Sequence, residues 1–409
     1  MVDGRRWLLR PTAHVTLATT ASTVLIHLPI FLLGGLAVLI REDIARFDEA
    51  RLGAAVSVFF GASALASVVG GRLSEARGPR LGMVAAALLS AGALLALATT
   101  SSLAGIFAAS AFGGAANGIG QPASNLGLAR GIRRARQGFA FGIKQASVPL
   151  ASLLAGFSVP LIGLTLGWRW TFVAAVLVAA AVIALVPRRF APPASRTTGA
   201  EVATDAPRPA LLLLAAGAGF GSAAANSLAA FTVLTVVATG IAAGPAGYLL
   251  ALGSAAGVTA RVLTGWRADQ RGHAHLPVVA RMLMIGTLGY LLLAAGNLHP
   301  ALLVLGVVTA FAAGWGWPGL LAFAIVRLHP GAPGLASGIV LAGGTAGAVV
   351  GPLLFGFVAR AGSFTWAWLT AAALSTAGAG LVWVGRRTVR AAVAGGRMQR
   401  PPGARRPPS

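Results

Sequence analysis

Apolar stretches of about 20 residues recur along the whole chain, separated by short polar or charged segments. Each is long enough to cross a hydrocarbon core as a helix. The pattern predicts twelve helices. The first six run about His14–Ile40, Leu52–Gly71, Leu81–Thr99, Ser102–Leu128, Gly138–Ile162 and Trp170–Val186. The second six run about Ala210–Thr239, Tyr248–Trp266, Pro277–Ala295, Ala301–Val326, Gly334–Val358 and Trp366–Gly385. Between them lies a polar stretch with Pro192, Pro193, Ser195, Thr197 and Gly199, the composition of a linker. Four segments follow: a six-helix half over 1–187, a linker over 188–208, a second half over 209–385, and a basic tail over 386–409 with the composition of a disordered segment.

The halves are copies. Gly71, Glu75 and Gly78 recur as Gly265, Asp269 and Gly272 at an offset of 194. Gly118, Gly120 and Pro122 recur as Gly314, Gly316 and Pro318 at 196, as do Gly138, Gly142 and Ile143 at Gly334, Gly338 and Ile339, and Trp170 at Trp366. Two parallel six-helix halves place a solute site between them near the midplane.

Composition agrees with the pattern: 56% of residues are hydrophobic and only 10% charged, at a mean hydropathy of +0.81. The net charge of +23 raises nucleic acid as a partner, but a nucleic-acid binder gathers its arginines on one soluble face. Here 24 of 32 basic residues fall on alternate inter-helix segments and the ends, against five on the other loops. This is the positive-inside pattern; it excludes a nucleic-acid partner and places both termini in the cytoplasm of a bacterial inner-membrane protein. Gly4-Arg5-Arg6-Trp7-Leu8-Leu9 echoes a twin-arginine signal, yet the apolar run behind it, about 26 residues, is too long for one and reads as the flank of helix 1. There is no cysteine, His-Glu-x-x-His motif, acidic metal pair or Ser/Lys dyad of suitable spacing, so neither a metal, a cofactor nor an enzyme activity is expected.

The segment Gly71-Arg72-Leu73-Ser74-Glu75-Ala76-Arg77-Gly78-Pro79-Arg80, its copy Gly265-Trp266-Arg267-Ala268-Asp269-Gln270-Arg271-Gly272, and Gly167-Trp168-Arg169-Trp170 resemble the major facilitator superfamily (MFS) over essentially the whole chain. The resemblance implies the all-α, twelve-helix, two-half fold and a cytoplasmic gate formed by Gly71, Glu75, Arg77, Gly78, Arg80, Gly265, Asp269, Arg271 and Gly272. In it, Glu75 docks on the start of helix 11 near Gly334–Gly338 and Asp269 on the start of helix 5. Physically, the glycines allow tight turns and helix approach, and an acid suits a helix N-terminus. Glu75 stands where the family usually has Asp. The Gly-Pro-rich helix 5 motif of drug/proton antiporters is replaced by Gly142-Ile143-Lys144-Gln145-Ala146-Ser147-Val148-Pro149, and the helix 4 arginine of proton-coupled members is missing around Asn117–Pro122. Both departures argue against multidrug efflux.

Lys144 is the only lysine, inside a predicted helix, where a charge costs ~2.5–3.5 kcal/mol and such residues generally face a cavity. It serves substrate binding or coupling, or else snorkels toward the cytoplasm. Gln145, Gln121, Asn117 and Asn226 are amide candidates for orienting a solute, with interhelical hydrogen bonding as the alternative. His27, two residues before Pro29, is a candidate for substrate or a coupling proton. Arg261, near the inner end of helix 8, reads as a gate residue. Trp315 and Trp317 wall the cavity or pack. All nine acids lie outside predicted helix interiors. A cavity with a cation and no acid favours a small organic or inorganic anion, or a polar neutral solute. The sequence is therefore read as a monomeric secondary transporter working by alternating access, comparable to the cyanate- or nitrate-permease-like branches. Proton-coupled efflux of a small drug-like molecule is the alternative, and a proton is the candidate coupling ion.

Overall fold

The computed structural model describes residues 4–132, 134–188, 190, 206–270, 275–329 and 332–395, without the side chains of 4–12, 134–139, 268–270 and 333. Among the described residues, twelve helices are long and apolar enough to span a membrane. They are α1 (Ala13–Gly35), α2 (Glu49–Arg77), α3 (Pro79–Thr99), α4 (Leu103–Gly131), α5 (Ala140–Gly163) and α6 (Trp168–Leu185), followed by α7 (Arg208–Ala238), α8 (Ala243–Arg267), α9 (His275–Ala294), α10 (Pro300–Leu328), α11 (Gly334–Ala361) and α12 (Phe364–Ala394). The last helix continues past the predicted Gly385 into the stretch read as tail; residues 396–409 and linker residues 191–205 lie outside the described set. With twelve spans counted among the described residues, the start of α1, the end of α12, the end of α6 and the start of α7 share one face of the bundle, here termed the linker face.

Small residues let the backbones touch. An added Cβ at Gly343, Gly347 or Gly351 on α11 would meet the carbonyl oxygens of Ala215, Gly219 and Ala223 on α7 at 2.2, 1.9 and 2.2 Å. Spaced by four, these glycines form a continuous seam, the way membrane helices associate where lipid removes a hydrophobic drive. Gly114 and Gly118 on α4 do the same against Phe59 and Ser63 on α2. Gly78 (φ 86°) makes the one-residue turn from α2 to α3, and Pro79 starts α3 where its missing N–H costs nothing.

The loop phrase before α6 has a structural use. Gly167 (φ 98°) turns the chain, and Trp168 Nε1 and Arg169 Nη1 both donate to Asp43 Oδ2, at 2.9 and 2.6 Å. Arg169 also covers the Trp168 ring at 4.2 Å and reaches the Thr100 carbonyl. The Trp168 hydrogen bond, and after it the Arg169 bond, hold the Asp43 carboxyl below its ordinary value.

The two halves are closed together at the face opposite the linker. Gly53 on α2 abuts the Pro352 carbonyl, Gly356 on α11 abuts that of Glu49, and Ser57 Oγ donates to the Val349 carbonyl at 2.5 Å. Asp48 caps α2, accepts from Arg51, and lies 3.3 Å from Arg360 Nε at the end of α11. Toward the linker face α2 and α11 part: a Cβ added at Gly71, Gly334 or Gly338 would meet nothing within 4 Å, and Leu65, Val68, Val69, Leu335 and Leu341 are exposed. The approach of helices 2 and 11 thus uses Gly53 and Gly356 rather than Gly71. In contrast α5 and α8 stay in touch along their length, through Gly156 against Ala251, a Ser254–Ser152 hydrogen bond of 2.9 Å, and Gly142 beside Gly265.

Gly347→Val should destabilise the protein by about 1–3 kcal/mol by overpacking the α7–α11 seam, whereas Gly380→Ala, which meets nothing within 4 Å, should not; thermal unfolding in detergent reads both. Because the folded Asp43 is depressed, its contribution is present above the unfolded value and lost as pH falls below 3.8 toward the folded one. Asp43→Asn should therefore lower stability at neutral pH, with the difference from wild type shrinking on acidification, as a melting series across pH would show.

Candidate functional site

A break in α10 sets the site's geometry. Its helical turns run Pro300–Thr309, widen to a π-turn over Ala310–Gly314, and resume only at Pro318–Leu328. The continuous helix predicted over 301–326 is therefore interrupted. Pro318 has no N–H and its ring excludes the helical bond to the residue four before it. That orphaned carbonyl, of Gly314, instead accepts from the Trp317 indole at 2.9 Å. Trp315 is left in the break, and its carbonyl accepts from Arg261 Nε at 3.1 Å and Nη2 at 2.7 Å. Irregular backbone at membrane depth survives where such partners exist and where it lines a cavity.

Arg261 is buried, and its Nη1 also donates to the Gln145 carbonyl on α5 at 2.6 Å. One guanidinium thus joins α8 and α10 of the second half to α5 of the first. Its face lies 5.4 Å from the Trp315 ring centroid, and Trp315 packs edge-on to Phe31 of α1 and Phe311.

Between the halves, in the linker-face part of the bundle, lies a cavity of about 500 Å³. Asn125, Gln145, Arg261, Thr264 and Ser337 supply its polar lining, and Phe141, Leu320, Phe323 and Val326 its larger apolar walls. No described lining residue is acidic.

Lys144 does not line this cavity. It is 1% exposed and turned into the first half, where Nζ donates to Gln121 Oε1 at 2.7 Å and Asn125 Oδ1 at 2.6 Å on α4. It is not drawn out to the linker face, as the snorkelling alternative supposed. The two bonds engage the oxygen of each amide, leaving the –NH₂ groups as donors, and Asn125 lines the cavity. Asn125, absent from the amide candidates above, is the more exposed of the two; its spacing of four from Gln121, on one helix face, is the sequence signal that pairs them.

His27 and Asn117 form a separate chain. Ser63 Oγ donates to Asn117 Oδ1 at 2.8 Å, Asn117 Nδ2 meets His27 Nε2 at 3.1 Å, and His27 Nδ1 meets the Thr23 carbonyl at 2.7 Å. With Nδ1 donating to a carbonyl and Nε2 accepting from an amide, the ring is the neutral Nδ1–H tautomer. It stacks on Phe31 at 5.6 Å, so it reaches Arg261 only through the Phe31–Trp315 aromatic bridge. Asn226 binds the Ser222 carbonyl of its own helix at 2.9 Å and stands apart from the cavity.

Of the loop motif, Gly71, Arg77, Gly78 and Arg80 sit at the linker-face turn, and Glu75 is exposed. Among the described residues no ion pair joins Glu75 to the start of α11, the docking that the resemblance implies. The Asp269 side chain, Arg271 and Gly272 lie outside the described residues; Gly265 faces Gly142.

A family model described as Major Facilitator Superfamily matches residues 19–297. A search of curated proteins returns no match. Among solved structures, the chain is similar to a bacterial homologue of the human lysosomal transporter Spinster, in an inward-facing and occupied conformation. The TM-score is 0.68 at 16% identity, covering 92% of this chain and 97% of that one. It is also similar to a D-xylose–proton symporter, with a TM-score of 0.73 at 16% identity, covering 90% and 97%. At such identity these likenesses speak to fold. The family match extends over more than half of the sequence and agrees with the twelve spans, and the chain belongs to the Major Facilitator Superfamily as a secondary transporter of membranes.

Proposed function

We propose that the chain moves a small anion, or a polar neutral solute, across the bacterial cytoplasmic membrane by alternating access. The observation that carries this reading is the donor bias of the cavity: Arg261 and the Asn125 amide face it, and no described lining residue is an acid. Lys144 supports the same polarity from behind by occupying the Asn125 oxygen. A cavity of hydrogen-bond donors and fixed positive charge attracts solute oxygens and repels cations. The single chain contributes both walls, which favours a monomer. The basic residues on the linker side favour that face as cytoplasmic.

The parted α2–α11 ends and the closed opposite face describe an inward-open state in this orientation. Rocking about the cavity would part Asp48 from Arg360 and bring Glu75 toward α11. Partly exposed ion pairs of this kind are worth about 0.2–1 kcal/mol, so Asp48→Arg or Arg360→Asp should raise outward opening up to about fivefold. The cysteine-free sequence makes the readout simple: Ser57→Cys, labelled by a membrane-impermeant maleimide from outside, should react faster in either charge variant and slower again in the double swap. Equal labelling in all four would remove the pair from the gate.

A second reading, proton-coupled export of a small drug-like molecule, is favoured by the His27 chain alone. A second ring proton would be accommodated by flipping the Asn117 amide, whose oxygen then accepts from His27 while its nitrogen donates to Ser63. Counterflow in proteoliposomes with anionic, neutral and cationic solutes separates the readings. The first expects counterflow for anions, slowed about tenfold or more in Lys144→Ala by the freed Asn125 amide. Unchanged KM and rate in that variant would remove Lys144 from the site. Flux of cationic drugs lost on adding a protonophore would favour the second reading.

A further inference from the structure

The cavity carries a narrower statement about its solute, one that rests on the anion reading above. We infer that the cavity seats a monocarboxylate with an apolar body, the carboxylate on Arg261 and Asn125 and the body against Phe141, Leu320 and Phe323. Three features point there.

The first is the donor count at Arg261. A guanidinium has five N–H groups, and the protein uses three, two toward Trp315 and one toward Gln145. Both acceptors are neutral carbonyls, and no described ion pair involves this arginine. A buried cation left with two free donors in a cavity is completed by a planar oxyanion, which takes paired N–H groups. The Asn125 –NH₂, its oxygen held by Lys144, adds a donor that is fixed in direction.

The second is charge number. Arg261 is the only charged residue among the described residues lining the cavity, and Lys144 is 1% exposed. One accessible positive charge matches one negative charge; a second carboxylate on the solute would be buried against phenyl and leucyl walls at the cost of an unpaired ion.

The third is size and wall chemistry. At about 500 Å³ the cavity falls in the ~300–1,000 Å³ range of sites that enclose organic ligands. Nitrate or cyanate would leave most of it as water against apolar side chains. Phe323 is held as a wall from its far side, with His275 edge-on at 5.0 Å and the Arg327 guanidinium 4.4 Å from its centroid. The equivalent positions in the other half do not repeat the charge: Lys144 and Asn125 correspond to Val340 and Leu321 at the offset of 196. The solute therefore binds with its charged end toward Asn125 and the α8–α10 clamp and its apolar end toward the α10 wall.

The test is thermal stabilisation and competition binding on the purified full-length protein with straight-chain and arylalkyl monocarboxylates, their matching amides, the corresponding dicarboxylates, and nitrate. Affinity should rise by about three- to fourfold per added CH₂ until the cavity is full, with amides and dicarboxylates bound at least tenfold more weakly. Arg261→Lys, which keeps charge but loses the fork, should weaken the monocarboxylates by about ten- to a hundredfold. Phe323→Ala should flatten the dependence on body length without touching nitrate, and this variant decides the matter should the arginine variant not fold. Nitrate binding as tightly as every carboxylate, with no gain from body length, overturns the inference and leaves anion transport standing. Amides binding as well as carboxylates overturns both.

Discussion

The Arg261 guanidinium is the interaction on which the centre of this transporter depends. A backbone carbonyl released inside a membrane must find a donor, and the Gly314-Trp315-Gly316-Trp317-Pro318 sequence releases two. Trp317 answers one from its own segment, and Arg261 answers the other from α8. Because the same side chain also binds the Gln145 carbonyl, satisfying the break in α10 fixes how the second half sits against the first. The break, the clamp and the cavity wall are one construction. The α5–α8 contact holds next to it, while α2 and α11, with no such tie near the linker face, stand apart.

Duplication supplied the frame and divergence supplied the site. The repeat places Gly118-x-Gly120-x-Pro122 and Gly314-x-Gly316-x-Pro318 at equivalent points, yet α4 passes through Pro122 as a helix and α10 breaks before Pro318. On the first half Asn117, Gln121 and Asn125 make a polar face that pairs with His27 and Lys144. On the second, Ala313, Trp317 and Leu321 occupy those positions. Asn125 and Gln145 of the first half then share the cavity with Leu320, Phe323 and Val326 of the second, and Arg261 brings charge from the second half.

The twelve spans, the two halves and the family were legible because each rests on runs and spacings that local sequence carries: apolar length for the helices, constant offsets for the repeat, and the Gly71–Arg80 segment for the family. The site was legible only as an inventory. Lys144, Gln121 and Asn117 stood out as polar residues at depth, but which way each points is a tertiary fact. Lys144 turns toward α4 because two amides one helical turn apart offer their oxygens there. Arg261 was read from its depth near the inner end of α8, and depth says nothing of the carbonyl waiting in α10. The sequence signal for it is Pro318, which starts a new helical segment eight residues after the π-turn begins at Ala310, inside what the apolar pattern predicts as one continuous span. Glu75 is exposed here, and exposure of a loop acid is a tertiary fact that local sequence does not carry.

The central claim is that the cavity is a seat for negative charge, made by donors and with no acid among its described lining residues. Calorimetric titration of the purified wild-type protein with three isosteric solutes of one apolar body, ending in a carboxylate, a carboxamide and an ammonium, tests it without assuming a transport direction. Binding of the carboxylate at least tenfold tighter than the carboxamide, with no binding of the ammonium, is the expected result. Equal binding of carboxamide and carboxylate, or any preference for the ammonium, would contradict it.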